Sequence, residues 1–466
     1  MSQQFRNTLT GRTEPFAPLE PGHVRMYTCG PTVYAPAHVG NFRSFIFADL
    51  VRRALVFNGL RVTWVMNITD VDDKIIRDAG AAGVGIDELT ATYTAIFLDD
   101  MARLGIAEPD VMPRATAHID DMVRLIETLI ENGHAYQTED GSVFFRIASW
   151  PGYGRLARLD PQQQRPGERV ESDEYDKDDV RDFALWKAAK PGEPSWTTSL
   201  GPGRPGWHVE CSAMSMRYLG PSFDLHTGGI DLVFPHHEDE IAQSEAATGQ
   251  PFVHTWLHCA HLHMGGQKMA KRTGNVARPA DLYAAGFGPR ALRYALLATH
   301  YRAPLDFSER SLAHASAAVE RLSTAVSALD AYSEDRDDDA SLPALLSDAR
   351  TAFSAALDDD LNVSAALAAT FDLVRDLNSR LAARTLSSAD ARRGAAALRE
   401  LDTVLGVLEG GRTELDASLS ALLEARAMAR AARDWARSDE LRDALAAAGI
   451  VVDDTPDGQR WRRSAA

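Results

Sequence analysis

Residues 24 to 66 constrain this chain more than any other stretch, because they read as a strand, a broken loop, a long helix and a second strand in immediate succession. Val24, Met26 and Tyr27 end an apolar run, and Gly30-Pro31 breaks it within MYTCGPTVYAPAHVGN at 26–41. From Asn41 the series Phe42, Phe45, Ile46, Asp49, Leu50, Arg53 and Ala54 has helical spacing, with Asn41 as N-cap and Gly59 as the stop. Arg61 to Met66 reads as the second strand. The loop thus lies at the carboxyl end of a strand, where open α/β sheets bind ligands. His38 falls just before the helix N-terminus, whose N–H groups and dipole favour an anion, and a phosphate is the natural one.

Composition narrows the class. With 466 residues the chain has room for roughly three domains, and 45% hydrophobic content suits packed cores. No apolar run of about 20 residues would span a membrane, and MSQQFRNTLTGRTEPF lacks the apolar core of a signal peptide, so a cytoplasmic protein is expected. Cys29, Cys211 and Cys259 are too few and too scattered for a disulfide framework, which points to thiol or metal chemistry. A formal net charge of -17 disfavours indiscriminate nucleic-acid binding, so an RNA partner has to be met by specific surfaces.

Along the chain, NITDVDDK at 67–74 offers hydroxyl and carboxylate groups at a strand's carboxyl edge. Residues 85–101 and 115–132 carry helical patterns, the second with Ile119, Met122, Val123, Ile126, Leu129 and Ile130 on one face. From about 135 to 200 the periodicity weakens. Val143-Phe144-Phe145 reads as a strand, Gln162 to Asp182 is polar and charged, and the whole reads as an inserted subdomain with a mobile loop. GPGRPG at 201–206 matches the dinucleotide fingerprint literally, but Pro202 and Pro205 forbid the helix start that it requires. Past Pro289, helical patterns at 292–299, 312–332, 344–357, 365–383 and 389–408 read as a bundle, and Gly410-Gly411 as a hinge. Residues 415–466 read as a helical pair closed by a hairpin whose basic, aromatic tip is Arg460 to Arg463.

Two sets of residues carry chemistry. His236 and Glu240 are four apart on a helix opening near Pro235, so both project from one face and can share a metal. Cys29 and Cys211, each read at a strand end or turn, add two thiolates; thiolate, imidazole and carboxylate are zinc's ligand palette rather than magnesium's. His237, Glu238 and Glu210 are rival ligands that spacing does not eliminate. GGQKMAKRTGN at 265–275 is a glycine-flanked loop whose Lys268 and Lys271 are point charges suited to a polyphosphate, and the absence of G-x-x-x-x-G-K-[ST] disfavours a P-loop enzyme.

These residues resemble a known family. HVGN at 38–41 resembles the HIGH signature of class I aminoacyl-tRNA synthetases, and KMAKR at 268–272 resembles their KMSKS loop. With CGPTVY at 29–34, NITDVDDKI at 67–75, GWHVECSAM at 206–214, FPHHEDEIAQSEA at 234–246 and HYRAPLDFS at 300–308, the likeness is to the cysteinyl-tRNA synthetases specifically. WARSDELR at 435–442 and residues 449–463 extend it into the tail. The resemblance implies an α/β, Rossmann-like catalytic domain over 1–310, inserted at about 135–200, then a helical bundle over 311–410 and a small α+β anticodon-recognition domain over 411–466. It implies Cys29, Cys211, His236 and Glu240 as ligands of one zinc, and His38, Lys268 and Lys271 as catalytic groups. It further implies His38, Gly40, Asn41, Lys271 and Asp231 at ATP, and Thr32, Thr69, Trp207 and His226 around the amino acid.

The implied partners are L-cysteine, ATP with its Mg²⁺ and tRNA(Cys), bound by a monomer. The implied reaction activates cysteine to cysteinyl-adenylate and passes it to the 3'-terminal ribose, the zinc choosing cysteine by its thiolate. Asn41, Ala270 and Arg272 depart from the family signatures and imply altered loop dynamics with activity retained. Two rival readings stand beside this one: a cysteine ligase of mycothiol synthesis, which lacks residues like 415–466, and a catalytically inactive regulatory paralogue.

Overall fold

A computed structural model of the chain describes residues 3–159, 182–264, 267–268, 276–408, 417–448, 450–455 and 458–463. Its centre is a parallel four-stranded sheet in the spatial order Val253–Cys259, Phe223–Gly229, His23–Thr28, Arg61–Met66. Phe223–Gly229 is buried along its whole length, as strands covered on both faces are. From His23–Thr28 the chain crosses through the helix Val39–Phe57 to Arg61–Met66 on one side, while the strand on the other side comes from far downstream. The strand order therefore switches at His23–Thr28, and a crevice opens beyond its carboxyl end. Gly30 lets the chain leave there: a Cβ at this position would lie 1.6 Å from the Asn67 carbonyl oxygen.

The helix Val39–Phe57 buries Phe42, Phe45, Ile46, Asp49, Leu50 and Ala54 as its spacing predicts, and Gly59 follows its C-cap Asn58 at φ +85°. Its N-cap, however, is His38 and not Asn41. Nδ1 of His38 accepts from the Asn41 amide at 3.1 Å, and Oδ1 of Asn41 accepts from the His38 amide at 3.0 Å, a reciprocal capping box. Asn is a preferred capping type and His is not, so spacing alone sets the start three residues late.

The insertion is a five-stranded antiparallel sheet in the order Ala135–Gln137, Val143–Phe145, Phe183–Ala188, Gly201–Pro205, Trp196–Thr198. The charged stretch 162–182 lies outside the described residues except for Asp182. No helix starts within 201–206; the helix Trp207–Leu219 begins directly after Gly206. What rules out the fingerprint is that Gly201–Pro205 is itself an antiparallel strand rather than a phosphate-binding turn.

Helices Glu309–Ala331, Leu342–Asp358, Val363–Ala382 and Ser388–Leu405 form the bundle. One apolar core runs from Val24 and Phe42 through Leu292 to Leu401, so no break in packing separates the sheet from the bundle. Asp49 pins the joint: its buried carboxylate accepts from Arg293 at 2.6 Å, Arg53 at 2.7 Å and the Ala107 amide at 3.0 Å. Arg293 also donates to the Leu405 carbonyl at 2.6 Å. The helix that begins at His38 is thereby tied to the bundle.

Helices Ala417–Ala431 and Trp435–Ala447 precede an antiparallel hairpin of Ile450–Thr455 and Gly458–Arg463. Arg460 to Arg463 are not its tip. They pair with Asp453 back to Ile450, and the strands turn at Thr455 and Gly458, so the basic run belongs to the strand and its far end. Gly410-Gly411 lies outside the described residues, and among those described no helix is long and apolar enough to cross a membrane.

Candidate metal centre and adjoining cleft

Four donors from three parts of the chain converge at the switch point. Cys29 is the first residue beyond His23–Thr28. Cys211 lies in the helix Trp207–Leu219, not at a strand end or turn; the preceding prolines disguise that helix in the sequence. Phe234 is extended (φ -141°, ψ 130°), so the following helix is Glu238–Thr248, and His236 sits in the turn before it rather than on it. Even so, Nε2 of His236 lies 3.2 Å from Oε1 of Glu240. Sγ of Cys29 is 3.6 Å from Sγ of Cys211 and 3.5 Å from Oε1 of Glu240. Donor atoms of Cys29, Cys211, His236 and Glu240 all fall within 4.8 Å of one another, and all four side chains are buried.

The three rivals separate. Glu238 turns away: its two oxygens accept four backbone N–H groups, from Gly154, Arg155, Leu156 and Ala157, at 2.8 to 3.0 Å. That clamps the insertion onto the start of the Glu240 helix. Glu210 accepts from the Thr69 hydroxyl at 2.8 Å, and burial followed by the neighbouring Cys211 holds its carboxyl well above the usual range. His237 stays close, with Nε2 3.3 Å from Sγ of Cys29, and joins Cys29, His226 and Glu240 in a second convergent set.

Two thiols this close and this buried do not both ionise unaided. Burial pushes Cys29 well up, and the hydrogen bond it donates to Cys211 adds to the effect. Burial also pushes Cys211 up, but the Cys29 thiol and His236 overcome it and bring Cys211 down to about 6. One proton is therefore held by the pair, and a cation among the donors is what would release it. Two sulfurs, an imidazole and a carboxylate fit zinc.

A cleft of about 350 Å³ adjoins Cys29 and is lined by Thr32, His38, Gly40, Asn41, Trp207 and Asp231. Six residues read as nucleotide or amino-acid contacts are thus brought to one place. Asn41 differs in detail, since its amide and its Oδ1 both engage His38. Thr69 and His226 do not line this cleft. Thr69 reaches Glu210, while His226 is fully buried, stacked on Trp256 at 4.6 Å, with Nε2 3.0 Å from Oε2 of Glu240. His226 thus touches the donor cluster through Glu240, while Thr69 contacts Glu210, which precedes Cys211. Lys268 lies on the strand Gln267–Lys268, paired with Leu262–Met264. Its side chain, and all of Ala270, Lys271 and Arg272, fall outside the described residues.

Sequence reasoning missed Tyr34, Lys74, Ser44 and His261, which also line the cleft. Nζ of Lys74 lies 5.6 Å over the Tyr34 ring. Arg43, 2% exposed, donates to the carbonyls of His261 and Ala303, each at 2.6 Å, and so ties the first helix to the cleft's far wall.

Comparison with known proteins completes the description. The family model for the tRNA synthetases class I (C) catalytic domain matches residues 15–317. Models for a DALR domain and for the Cysteinyl-tRNA ligase anticodon binding domain match 352–409 and 412–462. A Cysteine--tRNA ligase of Solibacter usitatus is 47% identical over 466 residues, covering 99% of this chain and 100% of that one. One of Symbiobacterium thermophilum is 47% identical over 474 residues, covering 100% of both. Among solved structures, Mycobacterium tuberculosis methionyl-tRNA synthetase in complex with methionyl-adenylate superposes with a TM-score of 0.57 at 17% identity, over 83% of this chain and 90% of that one. The ternary complex of Agrobacterium radiobacter LeuRS gives 0.59 at 13% identity, over 84% of each. At such identities the likeness concerns the fold alone.

Proposed function

We propose how this chain works from one premise: it belongs to the class I cysteine–tRNA ligase family and is a ligase that joins cysteine to tRNA. The finer reading is carried by the convergence of Cys29, Cys211, His236 and Glu240 beside the cleft that contains His38. We assign these four to zinc. They offer two sulfurs where the alternative set offers one, and Trp207, on the cleft wall, stacks on His236 at 4.3 Å. His237 belongs to the one-sulfur set, its Nδ1 2.8 Å from Nε2 of His258 and its Nε2 3.3 Å from Sγ of Cys29. Zinc bound here supplies a Lewis acid that takes a substrate thiolate far more readily than the hydroxyl of serine.

The chain's own residues position the rest. In the first step a carboxylate oxygen of cysteine attacks the α-phosphorus of ATP in line; a P–O bond forms, the bond to pyrophosphate breaks, and cysteinyl-adenylate results. Nδ1 of His38 accepts the Asn41 amide, so the neutral ring carries its proton on Nε2, a donor for a phosphate oxygen at the helix start. Lys268 and Lys271 add positive charge to the departing pyrophosphate, Mg²⁺ arriving with ATP as part of the substrate. Asp231 and Gly40 line the same cleft on the nucleotide side of this reading, with Thr32 and Trp207 around the amino acid. In the second step the terminal ribose hydroxyl of tRNA attacks the activated carbonyl, and AMP leaves.

The reading as a cysteine ligase of mycothiol synthesis is disfavoured by the match of residues 412–462 to an anticodon-binding family. Cysteine-dependent ATP–pyrophosphate exchange by the zinc-loaded chain, followed by charging of transcribed tRNA(Cys), tests the proposal. Exchange that needs zinc and cysteine, with charging, is expected. A folded, zinc-loaded chain without exchange contradicts it.

A further inference from the structure

We propose that His208 is a positioning residue that fixes the ring tautomer of His236, at the end of a chain that starts from Asp239. Nδ1 of His208 lies 2.9 Å from Nδ1 of His236, and Nε2 of His208 lies 3.5 Å from Oδ2 of Asp239. The atom of His236 that enters the donor cluster is Nε2, 3.2 Å from Glu240. A neutral imidazole has one ring proton, and a nitrogen that holds a metal presents its lone pair. With Nε2 so committed, the proton of His236 sits on Nδ1 and is donated to Nδ1 of His208. The proton of His208 then sits on Nε2, facing the Asp239 carboxylate. The opposite assignment protonates Nε2 of His236 and closes that nitrogen to a metal.

The chain is held on every side. Asp239 is fully buried and accepts from the Tyr153 hydroxyl of the insertion, and Gln243 donates to the backbone carbonyls of His208 at 3.2 Å and Asp239 at 2.8 Å. Phe183, on the inserted sheet, meets the His208 ring edge-on at 5.8 Å, and Trp207 covers the face of His236. At 3.5 Å the Asp239 carboxylate acts on His208 mainly through its charge. The insertion thus reaches the cluster through two imidazoles, a supporting contact of the kind that orients metal ligands.

This inference rests on the zinc assignment above, and its test separates the two. In the zinc-loaded chain labelled with ¹⁵N-histidine, long-range ¹H–¹⁵N correlation is expected to show His236 protonated at Nδ1 and His208 at Nε2. His208 protonated at Nδ1 overturns the proposal. In chelator competition, His208→Leu is expected to bind zinc about 10- to 100-fold more weakly, with the unfolding temperature of the metal-free form unchanged. His208→Asn, whose Oδ1 can replace the accepting Nδ1, is expected to regain most of the affinity. Undiminished affinity in His208→Leu, or a loss that His208→Asn does not regain, overturns the proposal. Wild-type chain that binds no zinc overturns the assignment beneath it instead.

Discussion

Replacing Cys211 by serine removes one sulfur donor from the cluster while leaving the helix Trp207–Leu219 intact. The hydroxyl is smaller by little, but its chemistry differs where it matters. The Cys29 thiol and His236 lower Cys211 against the effect of burial, so this position favours a thiolate. Serine keeps its proton there. Zinc in four-ligand protein sites is held by about 10–16 kcal/mol, or roughly 2.5–4 kcal/mol per ligand, and losing one thiolate should weaken binding by about 10²- to 10³-fold. The assay is chelator competition on purified Cys211→Ser, with cysteine-dependent exchange measured on the same sample. Both should fall together, and exchange should not return when ATP or cysteine is raised. A variant that holds one zinc as tightly as wild type and exchanges normally would refute the reasoning.

Other consequences follow from neighbouring contacts. His38→Asn keeps a good N-cap but removes the Nε2 donor, so its thermal midpoint should stay near wild type while exchange falls about 10²-fold, a split visible in paired calorimetry and kinetics. Equal exchange would remove His38 from the reaction. Arg293→Met leaves the buried Asp49 carboxylate with only Arg53 and an amide, and urea unfolding should show a loss of about 3 kcal/mol or more, partly regained in the double variant with Asp49→Leu. Burial raises Asp402 from 3.8 to about 6, against the amides of Val407 and Leu408. Because the folded value exceeds the unfolded one, Asp402 favours the fold below the unfolded value, and that contribution is lost as pH rises through about 6. Asp402→Asn should therefore gain up to about 3 kcal/mol over wild type near neutral pH, the gap closing towards pH 4, whereas a gap independent of pH would contradict the assignment.

The sequence disclosed what local periodicity and residue type control. The two strands from Val24 to Met66 lie where apolar spacing sets them, the helix between them starts three residues early, and the bundle helices past Pro289 follow theirs within a few residues. Two thiols, an imidazole and a carboxylate are an uncommon combination that pointed to a metal, but spacing left His237, Glu238 and Glu210 in play and only the family resemblance chose the four donors. What separates the rivals in the fold is tertiary. Glu238 is withdrawn by backbone amides of 154–157, some eighty positions upstream, and no local pattern announces such an approach. Thr69 and His226 were placed around the amino acid by the family resemblance alone; in the fold Thr69 contacts Glu210 and His226 stacks on Trp256, partners that no local pattern announces. The helix that carries Cys211 was hidden by prolines that end a strand, and the capping role of His38 by its being an unusual cap. The hairpin's basic run was misplaced because the turn position depends on strand register, which the Ile450 to Arg463 pairing sets.

The central claim is that the ion sits between Cys29 and Cys211 and leaves room for the substrate's sulfur. Zinc-edge X-ray absorption of the loaded chain counts sulfur neighbours directly. Two sulfurs, rising to three on addition of L-cysteine and not on addition of L-serine, is the predicted result. One sulfur would place the ion in the set with His226 and His237, and a count unchanged by cysteine would contradict recognition through the metal.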